Sequence, residues 1–219
     1  MLRTMAYCLL CLCLPSESYA QGASLSAKDI IDIVIQNHSE NNKLKGEKVV
    51  FKRRELTYDL DNNGNRKYPP EEKTINSENA KNPIDLERFL SRYNFSFASP
   101  AELKDNYAIN FRLKPDIPNE SDIIYQTANH LEGTIYVNRQ HFYVAKFDAK
   151  LIESFNKLGG FLRVRQSDIT FKQDRRLDLD NIVVIRYFQI KVKYRVFLIF
   201  GVKNFFEEWY YEYKDYKLK

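Results

Sequence analysis

Cysteine is missing from everything after residue 13: Cys8, Cys11 and Cys13, the only three, lie near the start of the 219-residue chain. If that start is removed on export, no disulfide, thiolate metal site or cysteine nucleophile remains. Histidine is scarce as well. His38, His130 and His141 lack metal-ligand spacing, such as two histidines four apart on a helix, and read as structural. No glycine-rich phosphate loop and no G-x-S-x-G nucleophile turn occurs. The adjacent acids Glu71-Glu72 and Glu207-Glu208 would point to opposite faces of a strand, which is poor geometry for a paired acid and base. Internal repeats, Gly/Ser linkers and composition breaks are also absent. One non-enzymatic domain without a cofactor is the expectation.

A long hydrophobic run is lacking too. In "MLRTMAYCLLCLCLPSESYA" the apolar stretch from Met5 to Leu14 is half of the roughly 20 residues that span a membrane. Arg3 precedes it and Ser18-Tyr19-Ala20 follows, which is the pattern of a secretory signal peptide. Cleavage is expected between Ala20 and Gln21, leaving residues 21–219 as a single periplasmic or secreted domain. Tyr7, Leu10 and Leu12 stand before the cysteines where a lipoprotein signal needs a small residue, so lipidation is not expected. The net charge is +5, and removing residues 1–20 leaves it unchanged because Arg3 and Glu17 cancel. Mild basicity outside the cytoplasm favours anionic lipid or polysaccharide over nucleic acid.

What the chain has in abundance is alternation. In "RYFQIKVKYRVFLIF" the residues Phe188, Ile190, Val192, Tyr194, Val196, Leu198 and Phe200 share one parity, and Gln189, Lys191, Lys193 and Arg195 the other. That is a strand with one apolar and one wetted side. About 15 residues span roughly 50 Å, too long for a compact sandwich unless the sheet curls. Before it, Ser24 to Asn42 reads as a helix with Ser26 and Asp29 as a capping box, an apolar stripe at Ala27, Ile30, Ile31, Val34 and Ile35, and a stop at Gly46. Asn63-Gly64 marks a hairpin. "IDLERFLSRY" reads as a short helix, "YAINFRL" as a strand, and "GTIYVNRQHFYVAKFDAKLI" as two strands about Asn138. Residues 161–172 and the aromatic-rich end of the chain add more. The expected fold is mainly β with α: a curved antiparallel sheet, an incomplete barrel of about nine strands, with an N-terminal helix and a short inserted helix at its mouth.

The helix "AKDIIDIVIQNHSENN", the hairpin "KRRELTYDLDNNGNRK", the segment "LEGTIYVNRQHFYVAKFDAKLIE" and the closing "VKNFFEEWYYEYKDYK" resemble the periplasmic lipoprotein-carrier (LolA-like) superfamily, and more closely exported proteins of the outer-membrane lipoprotein-sorting type. The resemblance implies a half-barrel with helices at its mouth that holds acyl chains. No individual binding residue follows from it.

The apolar parities nominate Ile109, Phe111, Leu113, Tyr143, Phe147, Ile190, Val192, Tyr194, Val196 and Leu198 as lining of an apolar hollow, or equally as ordinary core beneath a helix. The expected occupant is a lipid or lipoprotein acyl chain. The alternatives are a filled structural or sensory module that binds an envelope protein, and a hydrolase of envelope polymers. Lys191, Lys193, Arg195, Arg163, Arg165, Arg175 and Arg176 form either a basic surface for peripheral membrane contact or a solvated outer face. "DNNGNRKYPPEE" places Asp61, Asn63, Asn65 and Glu72 like a calcium loop, but Arg66 replaces its essential glycine, so a hairpin turn is the reading. An outer-membrane barrel is not expected, because Lys52, Arg53, Arg54 and Glu55 charge both faces of one strand.

Overall fold

A computed structural model describes residues 25–76, 86–117, 123–198 and 201–219. The expected signal peptide, with its expected cleavage between Ala20 and Gln21, lies outside the described residues. The architecture is one antiparallel, curved and unclosed sheet of ten strands: β1 (Val49–Asp59), β2 (Glu71–Asn76), β3 (Tyr93–Leu103), β4 (Asn106–Leu113), β5 (Leu131–Asn138), β6 (Val144–Leu151), β7 (Phe155–Lys157), β8 (Leu162–Arg176), β9 (Ile182–Leu198) and β10 (Gly201–Leu218). Among the described residues three α-helices accompany it: α1 (Ala27–Lys48), α2 (Leu86–Leu90) and α3 (Ile123–Ala128). The strand order is β2-β1-β10-β9-β8-β6-β5-β4-β3, with β7 against β8. β10 therefore pairs with β1, and the hairpins run outward to β2 at one edge and β3 at the other.

Helix α1 begins where the capping box places it. Asp29 Oδ2 accepts from the Ser26 backbone N–H at 2.9 Å, and Ser26 Oγ accepts from the Asp29 N–H at 3.2 Å. It runs past the expected stop at Gly46 and passes directly into β1. Glycine costs about 1 kcal/mol inside a helix. Here its last turn is secured from outside, because Lys219 Nζ donates to the Gly46 carbonyl at 2.7 Å and the Lys219 N–H to the Lys48 carbonyl at 2.8 Å.

The first half of α1 supplies Ala27, Ile30, Ile31 and Val34 to the main core, with Phe89 and Leu90 of α2 and Tyr125 and Ala128 of α3. These pack on Ile109, Phe111, Leu131, Ile135, Val137, Val144, Phe147 and Ala149 of β4, β5 and β6. Burying each large apolar side chain stabilises the fold by about 1.5–3 kcal/mol. Tyr93 Oη donates to the Ala128 carbonyl at 2.6 Å and ties α3 to the sheet.

Gly133, on the core face of β5, permits a close backbone approach. A Cβ there would lie 2.0 Å from the Asp148 backbone oxygen and 2.8 Å from the Ala149 Cα. The backbone of neighbouring β6 therefore occupies the space any side chain would need. The first hairpin turns as its sequence predicts, with Gly64 at φ +83°. Asp61 Oδ1 accepts the N–H groups of Asn63 at 2.8 Å and Asn65 at 2.9 Å, so its carboxylate serves the turn itself.

Candidate binding face

Strand register lines up the inner face in rows. One row reads Phe97, Ile109, Ile135, Phe147, Phe171, Phe188, Tyr211, Glu55 and Lys73 across β3, β4, β5, β6, β8, β9, β10, β1 and β2. Its neighbour reads Phe95, Phe111, Gly133, Ala149, Ile169, Ile190, Trp209, Thr57 and Glu71. Each row grades from apolar to charged. Rings touch along this gradient: Phe111–Phe147 and Phe147–Phe171 stack at 5.1 Å, and Phe188–Tyr211 lie at 5.8 Å. Arg53 sits 5.7 Å over the Tyr211 ring and pairs with Glu55, ending the apolar stretch.

The helices cover only part of these rows. Over β4, β5 and β6 the side chains are buried, whereas Phe171, Phe188, Ile190, Trp209 and Tyr211 on β8, β9 and β10 are only partly buried. Beside them Glu207 is held on the same face, accepting from Tyr194 Oη and from Trp209 Nε1, both at 2.9 Å. Burial, with Glu207 as hydrogen-bond partner, raises the Tyr194 phenol above its ordinary range.

The ten nominated lining residues divide accordingly. Ile109, Phe111 and Phe147 are buried in the filled core under α1, α2 and α3, with Leu113 half-buried against it. Val192 is buried with Phe155 and Val164, and Ile190 and Tyr194 pack beside them. Val196 is half-buried and Leu198 is exposed, near the far end of β9. Tyr143 lies outside the strand, because β6 starts at Val144 and a bulge sets Val144 opposite Val137. Of the residues that carry the open half, Ile190 is among the ten, whereas Phe171, Phe188, Trp209 and Tyr211 were not nominated. Trp209 and Tyr211 share a parity with Phe205, Glu207 and Tyr213, but only the register shows that this parity continues the core rows.

A second concavity, a cleft of about 300 Å³, separates the C-terminal half of α1 from the starts of β6 and β9 and the end of β8. Its lining mixes polar side chains with Val34, Leu44, Val144, Ile182 and Val183, and it brings together two histidines that the sequence separates. Arg175 Nη1 donates to His141 Nε2 at 2.7 Å, and Asn42 Nδ2 donates to His38 Nε2 at 2.7 Å. Asn41 latches the helix across it, donating to the Val183 carbonyl at 2.9 Å and accepting the Val183 N–H at 2.8 Å, as a neighbouring strand would. Lys45 follows on the same helix, with Nζ 5.3 Å from the Phe51 ring centre, and burial lowers its ammonium pKa. His130 stands apart, stacked on Phe155 at 4.4 Å and hydrogen-bonded to Glu153 at 3.2 Å. Among the described residues no group of three His, Cys, Asp or Glu side chains is placed to hold a metal ion, and no helix is long and apolar enough to cross a membrane.

On the outer face Glu208 is 2% exposed and accepts from Arg66 Nη2 at 2.7 Å, Arg66 Nε at 3.0 Å and Gln189 Nε2 at 2.7 Å. Arg66 also lies 3.8 Å over the Tyr58 ring. The residue that breaks the calcium-loop pattern thus clips the first hairpin onto β10.

Comparison with family models, with curated proteins and with solved structures finds no match.

Proposed function

We propose that this is an exported, non-enzymatic binding protein that holds an acyl chain, free or on a lipidated partner, against the open half of its inner face. The observation carrying this reading is the continuation of the core rows into Phe171, Phe188, Ile190, Trp209 and Tyr211 without full burial. Partly buried aromatic rings in register form an apolar strip that water wets poorly, and the charges at Arg53 and Glu55 mark its end. The lipoprotein-carrier resemblance in the sequence points the same way. The cargo strip lies over β8, β9 and β10, because the helices fill the β4–β6 half.

That filled half favours a second reading, a structural or sensory envelope module in which the same strip receives a protein partner. Lipid extraction and native mass spectrometry on protein isolated from its own envelope separate the two. Co-purified acyl lipid, lost on replacing Phe188 and Trp209 by serine, is the expected result. A clean unliganded mass with no lipid recovered would rule out the carrier.

A further inference from the structure

We propose that the far end of the β8–β9–β10 ribbon docks the protein onto an anionic lipid bilayer. This proposal stands independently of what the inner face carries. On the outer face, the register stacks two unlike rows at this tip. Among the described residues the outermost row is Phe161, Phe197 and Val202: Val202 pairs with Phe197, whose N–H donates to the Phe161 carbonyl at 2.8 Å. Phe161 is 63% exposed and Val202 50%, and Leu198 on the opposite face of the tip is 50% exposed. The next row inward is Arg163, Arg195 and Asn204, and behind it lies Lys193.

Same-face rows are two residues apart along a strand, about 7 Å. An apolar edge backed at that distance by cations matches the interface of a bilayer, where apolar groups enter about 5–10 Å and the phosphates lie above them. The cations are also available. Arg163 bonds Ser154 Oγ at 2.9 Å, Arg195 bonds Asn204 Oδ1 at 3.0 Å, and Lys193 lies 5.4 Å over the Phe206 ring. None of these three forms an ion pair among the described residues, whereas Arg54, Arg66 and Arg176 elsewhere on the sheet are each held by a carboxylate. Apolar side chains exposed in a row favour a bilayer over a soluble polyanion, which would contact the cations alone. The register also removes Arg175 and Arg176 from this surface, since they sit at the opposite end of β8.

Sedimentation with phosphatidylglycerol/phosphatidylcholine vesicles tests the assignment. Each basic residue near an anionic surface is worth roughly fivefold in partitioning. The R163Q/R195Q protein should therefore bind about 25-fold more weakly, and 0.5 M salt should weaken the parent similarly, a concentration of about that order leaving little unscreened. F161S/V202S should also lose binding, while K28Q/K43Q, with the same loss of charge on α1, should stay within about twofold of the parent. Circular dichroism melts confirm that each variant is folded. No binding to anionic vesicles, or equal binding to pure phosphatidylcholine, would overturn the proposal. So would an equal loss in K28Q/K43Q, or a loss in the charge variant that the apolar variant does not share, which would mark a polyanion surface.

Discussion

Replacing Glu208 by alanine removes the acceptor of three hydrogen bonds at an almost fully buried position, two of them from the Arg66 guanidinium. Hydrogen bonds to charged groups contribute about 1.5–3 kcal/mol each where both groups are buried. Removing one partner of a wholly buried ion pair costs about 3–5 kcal/mol. Arg66 is 48% exposed, so its freed charge recovers water, and the net loss falls to about 2–3 kcal/mol. For a domain of this size each kcal/mol moves Tm by about 2–4 °C, which gives a drop of about 4–12 °C. The pH dependence has a definite sign. Burial pulls the Glu208 pKa up, but the bonds from Arg66 and Gln189 outweigh it, and the net value lies below the reference of 4.5. A carboxyl depressed in the folded state stabilises above its unfolded pKa, and that contribution is lost as the pH falls through the folded value. The Tm gap between the parent and E208Q should therefore be full at pH 7 and narrow at pH 3. Scanning calorimetry of parent, E208A and E208Q at both values reads this directly. An E208A melt within 1 °C of the parent, or a gap that does not narrow in acid, would refute the reasoning.

Two further substitutions probe the sheet and its helix. G133A should destabilise by more than the 1–3 kcal/mol typical of overpacking, because the added carbon meets backbone rather than a movable side chain, and urea denaturation measures it. N41A leaves the Val183 N–H and carbonyl without their partner and should cost about 1–2 kcal/mol. Amide exchange should then speed up in the C-terminal half of α1 more than in β4 and β5.

Much of the fold was legible because the long strands obey a period of two. β9 and β10 follow the parities of Phe188 to Leu198 and of the closing aromatic residues, and α1 follows its capping box and stripe. The middle was not legible. In β3, "YNFSFASPAEL" interrupts its alternation with Ala, Ser and Pro, and α3 has only six residues, too few for a helical period to show. The candidate face was half legible. Parity identified which side of each strand is apolar, but the helices decide which apolar stretches are buried, and their placement depends on contacts such as Asn41 with Val183, 142 residues apart. The pairing of Glu208 with Arg66 was not legible for the same reason: 142 residues separate them, and only the hairpin's fold brings them together.

Trp209, the chain's single tryptophan, lies in the open half of the inner face beside Ile190 and offers the most direct test of acyl-chain binding there. Its fluorescence should be quenched saturably, near one equivalent, by a fatty acid brominated at mid-chain, with the unbrominated acid competing the quenching away. Emission that stays unchanged, or that falls only in linear proportion to added lipid, would contradict the proposed site.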